Sequence, residues 1–86
     1  MVEISGHGII TIDGRSVPND AVFYWLDICE TPGELVAEGS IHGSEELLRQ
    51  VKKAKRAMLE PEAGPPLFLK CEGGRNGVRW VKALRA

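Results

Sequence analysis

The stretch SEELLRQVKKAKRAMLEP, residues 44–61, decides how the rest of this 86-residue chain is arranged. Ser44 offers a side-chain oxygen to the free N–H groups of a first helical turn, and Glu45 and Glu46 sit where the helix dipole favours carboxylates. Leu47 stands where a Glu or Gln would complete a capping box, so only half of that device is present. Leu47, Val51, Ala54 and Met58 recur at helical spacing, with Leu48 and Leu59 beside them. The spacing predicts one helix over 44–59, about 24 Å long, closed off by Pro61 and the stiff Gly64-Pro65-Pro66.

Upstream, Ile10-Thr11-Ile12 and Arg15-Ser16-Val17 flank Asp13-Gly14, a pair suited to a two-residue type I′ turn, which would set Ile10 opposite Val17. Pro18 is expected to end that arm, with turn chemistry at Asn19-Asp20. AVFYWLDIC, residues 21–29, has the β-branched and aromatic content of a strand. Val22, Tyr24, Leu26 and Ile28 share one side, Phe23, Trp25, Asp27 and Cys29 the other. Both sides are largely apolar, which predicts a central strand covered in part on its second face. Thr31-Pro32-Gly33 turns the chain into LVAEGSI, residues 35–41. Downstream, PLFLKC and VRWVKALRA read as two strands joined by the glycine-rich EGGRNG loop, residues 72–77, with Asn76-Gly77 at its positive-φ positions.

The expected fold is therefore α+β: a small antiparallel sheet, ββββαββ along the chain, with one amphipathic helix packed on a face. Length and a 43% hydrophobic content fit a single domain spanning 1–86. Such a domain has a modest stability margin, to which a partner or a second copy would add. MVEISGHGII lacks the charged and apolar regions of a leader, and no segment approaches the roughly 18 apolar residues of a membrane span. A cytoplasmic location with reduced thiols follows as the expectation.

Charge is distributed unevenly. Residues 1–43 carry seven acids and one base, a net of −6, whereas residues 44–86 carry ten bases and five acids, a net of +5. Five of those bases fall within RQVKKAKR, residues 49–56. On a helical wheel Arg49, Lys52, Lys53 and Arg56 lie opposite the apolar stripe, where any surface helix tolerates charge. The unusual feature is the lack of acids among them: after Glu46 none appears before Glu60, so Glu45–Arg49 is the only i to i+4 spacing of an acid before a base in that helix.

The residue types of several chemistries are present without the spacing those chemistries need. Cys29, Cys71, His7 and His42 are zinc ligand types, but their spacing forms no local chelate. Cys29 or Cys71 with His42 and Asp27 would supply a nucleophile, a base and an orienting acid, yet no nucleophile elbow accompanies them and so small a domain has little room for a substrate pocket. SGHG and EGGRNG match neither a dinucleotide fingerprint nor a phosphate-binding loop. No catalytic set, metal or cofactor is expected.

What remains is binding. The preferred expectation is a non-enzymatic adaptor or inhibitor that meets a protein partner through charged surfaces. The alternative is a small nucleic-acid binder using the basic helix and the 72–77 loop, with exposed Trp80 or Tyr24 stacking on bases. Both draw on Arg49, Lys52, Lys53, Arg56, Arg75 and Arg79. A sequence pI near 6.1 counts against a dedicated nucleic-acid domain.

Overall fold

The computed structural model describes residues 2–29, 35–62 and 64–85. Along the chain the elements are β1 (Val2–Ile12), β2 (Arg15–Ile28), β3 (Leu35–His42), α1 (Glu45–Lys53), β4 (Ala57–Pro61), β5 (Leu67–Gly73) and β6 (Val78–Arg85). The strands close into a barrel in the order β1-β2-β3-β6-β5-β4, and β4 returns to pair with β1. All six pairings are antiparallel. This corrects the expected α+β sheet: the order is βββαβββ, and the core is enclosed by the strands instead of lying between a sheet and a helix.

Two local differences account for the change. The first hairpin does not stop at Pro18. Its Asp13-Gly14 turn has φ of 49° and 88°, and Ile10 does pair with Val17. Beyond it, β2 continues to Ile28, and a register shift between Gly8 and Ile10 takes up residues 18–21. Proline is compatible with a strand at such an irregularity, because the ladder is already interrupted there.

The second difference lies in the 44–59 stretch. The helix has nine residues, not sixteen, and Ala54 already has extended dihedrals at its C-cap. Asp13 fixes the stop: its N–H donates to the Arg56 carbonyl and its Oδ1 accepts from the Arg56 N–H, both at 2.9 Å. From there Ala57 and Leu59 point inward and Met58 and Glu60 outward, and the segment pairs with both β1 and β5. Met58 and Leu59 satisfy a helical spacing and a strand alternation equally well. Pairing on two sides overrides the weak helical preference.

β4 reaches β1 at a glycine. A Cβ on Gly8 would lie 2.6 Å from Leu59 Cδ1 and 2.9 Å from the Glu60 carbonyl oxygen, so only a bare backbone permits barrel closure here. Gly8 of SGHG thus serves close strand approach, while Gly6 leaves room for the Tyr24 ring.

Inside the barrel, Ile10, Val22, Leu26, Ile41, Leu59 and Ala83 are fully buried, and Tyr24 and Val81 nearly so. The helix crosses one end of the barrel, from the end of β3 to the start of β4, and adds Leu47, Leu48 and Val51 to the same core. Ser44 Oγ accepts from the Leu47 N–H at its first turn. A nine-residue helix is marginal alone. Burial of three aliphatic side chains, about 1.5–3 kcal/mol each, holds it in place.

Candidate functional site

The site begins with the alternation along β2. Val22, Tyr24 and Leu26 turn into the core, so Phe23, Trp25 and Asp27 must turn outward. Among the described residues no second layer lies on that side: Phe23 is 37% exposed and Trp25 53%, while Asp27 and Cys29 are half-buried. The second face of this strand is thus covered in part, as expected, but by neighbours in the barrel wall, Glu3 at Trp25 and His7 and His42 at Phe23.

Register then carries the surface across four strands. Trp25 pairs with Ser40 of β3, and Ser40 pairs with Trp80 of β6, itself 59% exposed. With strands about 4.8 Å apart, the backbone positions of the two exposed tryptophans are about 10 Å from each other, with Ser40 between them. Ser40 is 7% exposed, and its Oγ is 3.0 Å from His42 Nε2. A neighbouring row holds three more rings. His7 meets Phe23 edge-on at 5.5 Å between centroids, and Phe23 meets His42 at 6.2 Å. The His7 N–H donates to Glu62 Oε1.

On the other flank of the indoles the row is charged. Glu3 pairs with Asp27, Asp27 with Glu38, and Glu38 with Lys82. Directly opposed like charges on neighbouring strands destabilise a sheet. Glu3 Oε2 also accepts a 2.6 Å bond from the Trp25 Nε1–H, which anchors that indole by its edge. Lys82 is engaged with Glu72 at 3.4 Å. A shallow hollow of about 290 Å³, lined by Asp27, Glu38, Gly39, Glu72, Trp80 and Val81, lies beside the second indole.

The basic residues occupy different ground. Arg49, Lys52 and Lys53 are exposed on α1, and Arg56 follows it. The Arg56 guanidinium lies 5.3 Å over the ring of Phe68. Together with Lys55, Lys70 and Leu84 these residues border a hollow of about 330 Å³. Arg75 is exposed in the β5–β6 turn, where Asn76 and Gly77 have φ of 56° and 82°. That turn does meet the helix: the Gly77 N–H donates to Glu45 Oε2 at 2.8 Å, and the Gly43 N–H donates to the Gly77 carbonyl.

Arg79 does not join this surface. It shares the inner side of β6 with Val81 and Ala83, is 5% exposed, and pairs with Glu45 through Nη2 while Nη1 donates to the Val78 carbonyl. The Arg79 guanidinium, with the Gly77 N–H, holds the Glu45 carboxyl below the usual carboxylate range. Arg79 and Glu45 therefore tie the start of α1 to β6. Tyr24, expected as a stacking residue, is 3% exposed and belongs to the core, whereas Trp80 has the expected exposure.

Cys29 and Cys71 are free, half-buried thiols. Among the described residues, no group of three His, Cys, Asp or Glu side chains is placed to hold a metal ion. Among them, too, no helix is long and apolar enough to cross a membrane. Comparison of the chain with protein-family models, curated proteins and solved structures finds no match.

Proposed function

We propose that the protein is a non-enzymatic binding module, an adaptor or inhibitor, that docks a partner protein on the outer wall formed by β1, β2, β3 and β6. One observation carries this reading: Trp25 and Trp80 are more than half exposed on either side of Ser40. Large rings left in water forfeit the burial that would make them useful to the fold. Tryptophan is also among the residue types that dominate binding energy at protein interfaces. The docking surface thus moves from the charged helix, where sequence alone put it, to the aromatic wall. Two free thiols suit a reducing, cytoplasmic setting.

A second reading, nucleic-acid binding, draws on Arg49, Lys52, Lys53, Lys55 and Arg56, which cluster on and just after α1. It is the weaker one. The ring nearest these cations, Phe68, is half-buried beneath Arg56, and the open indoles stand among carboxylates.

Selection of a displayed peptide library against the whole protein separates the two. We expect enriched peptides whose affinity falls at least about tenfold with Trp25→Ala plus Trp80→Ala, as hot-spot truncations do, and is retained with Arg49→Glu, Lys52→Glu and Lys53→Glu. No enrichment, or enriched peptides indifferent to the tryptophans, overturns the docking reading. Oligonucleotide binding that the helix variant abolishes, with a log–log salt slope near about −4.5 for five phosphates, establishes the second.

A further inference from the structure

We infer that the partner segment received by this wall is basic, with two Arg or Lys side chains three positions apart; this rests on the wall being the docking surface. Charge complementarity is the first argument. Glu3, Asp27 and Glu38 stand opposite one another on adjacent strands, and Glu72 adds a fourth carboxylate beside Trp80. Two cations close the row on its other side, Lys82 opposite Glu38 and Lys70 opposite Lys82, and Lys82 already contacts Glu72, which leaves the repulsion concentrated at Glu3, Asp27 and Glu38. The free protein carries this repulsion as a cost. A cationic partner relieves it. A neutral sugar would leave it in place, and a polyanion would add to it.

The second argument is the pairing of rings with carboxylates. A guanidinium or ammonium over an indole face is attracted by the ring quadrupole, and Trp is the best of the side chains for this. Glu3 bonds the edge of the Trp25 indole, so a cation on that ring meets a carboxylate at close range. Asp27, Glu38 and Glu72 do the same around Trp80, whose hollow they line.

Spacing supplies the third. The two tryptophans are rooted two strands apart, about 10 Å between their backbone positions. In a polyproline II segment residues i and i+3 share a face and lie about 9.3 Å apart, whereas same-face residues of a flat strand lie about 6.7 or 13 Å apart. A basic-x-x-basic segment in polyproline II conformation, laid across the strands, sets one cation over each indole.

The chain has two tryptophans, and both are in the site, so its intrinsic fluorescence reports occupancy directly. The probes are blocked peptides titrated into the whole protein: Arg-Pro-Pro-Arg, its respaced form Arg-Arg-Pro-Pro, Gln-Pro-Pro-Gln and Glu-Pro-Pro-Glu. An oligothymidylate and a neutral glucan oligosaccharide complete the set. Arg-Pro-Pro-Arg should give a saturable emission change that weakens several-fold between about 0.05 and about 0.5 M salt. The respaced peptide should bind at least about threefold more weakly, and the neutral and acidic peptides should give no change. Glu38→Lys should cost about tenfold and Glu38→Gln less, while Lys52→Glu changes nothing. Equal binding of the neutral or acidic peptide, indifference to both Glu38 variants, or saturation only by the oligonucleotide or the sugar overturns the inference. Peptides that are selected from the library, depend on the tryptophans and lack paired bases would overturn it too, while leaving the wall as the docking surface.

Discussion

The two outer surfaces of this barrel are built from opposite materials. On the helix and its exit, Arg49, Lys52, Lys53 and Arg56 extend charge into water, above Leu47, Leu48 and Val51. On the β1-β2-β3-β6 wall, Phe23, Trp25 and Trp80 extend rings into water, above Val22, Tyr24 and Val81. The first arrangement costs the fold little: a solvated helix face is where cations belong, and the like charges of Arg49 and Lys53 one turn apart cost only a few tenths of a kcal/mol. The second leaves large apolar side chains without the burial that would offset their exposure. A conspicuous charge run is therefore what a bare surface helix would carry anyway, whereas exposed rings call for a covering, which is why the proposed docking surface is the wall.

The contrast is sharpest across α1 itself. Leu48→Ala removes a fully buried side chain from the end of the barrel and should cost about 3 kcal/mol, within the usual range of 2–5 for such truncations. For a domain of this size that lowers the melting temperature by at least about 12 °C. Lys52→Ala, one turn further along the same helix but at an exposed position, should stay within about 0.5 kcal/mol. Thermal melts of both variants at one pH give the comparison. Equal effects would mean that the helix presents a different side to the barrel.

Glu45 and Arg79 break the pattern, since this basic residue belongs to the interior. The carboxyl of Glu45 is held low chiefly by the Arg79 side-chain hydrogen bond, then by the Gly77 N–H. A depressed folded-state pKa contributes stability that is present above the unfolded value, about 4.3 for Glu, and is lost as pH falls through the lower folded value. Wild-type melting temperature should accordingly decline on the acid side of about pH 4. Glu45→Gln should be less stable at neutral pH and should lose part of that acid-side decline. A variant whose pH profile runs parallel to that of the wild type down to acid would show that the pair contributes nothing to linkage.

Much of the barrel was legible before its shape was. The Asp13-Gly14 turn, the strand at 21–29 and the strands around 67–71 and 78–85 could be read from turn chemistry and side-chain preference, because each depends on neighbours in sequence. The fate of Ala57, Met58 and Leu59 could not. Their pattern fits both a fourth helical turn and a short strand, and the choice is made by Ile10, Ile12, Leu67 and Leu69, which pair with them from distant parts of the chain. The aromatic wall was hidden for a related reason. Whether Phe23 and Trp25 face a second layer depends on the existence of that layer, and alternation along one strand is silent about it. Arg79 was misread because both sides of VRWVKALR mix apolar and basic residues, so the strand carries no clear inward phase.

The smallest effects test the wall most directly, because a functional surface should be nearly dispensable for folding. Trp80→Ser removes a ring that is 59% exposed, and its stability change should stay within about 1 kcal/mol, well below the cost of Leu48→Ala. Glu38→Gln should go the other way. It removes a charge opposed to Asp27 and should raise stability by a few tenths of a kcal/mol, within the range of about 0.2–1 kcal/mol for cross-strand pairs, partly offset by the loss of its attraction to Lys82. A gain in stability on removing the Glu38 charge would mark that carboxylate as one the fold does not need. Denaturant titrations of the two variants decide this. If Trp80→Ser unfolds the barrel, or Glu38→Gln weakens it, the wall is structural, and its rings and carboxylates hold the strands together instead of waiting for a partner.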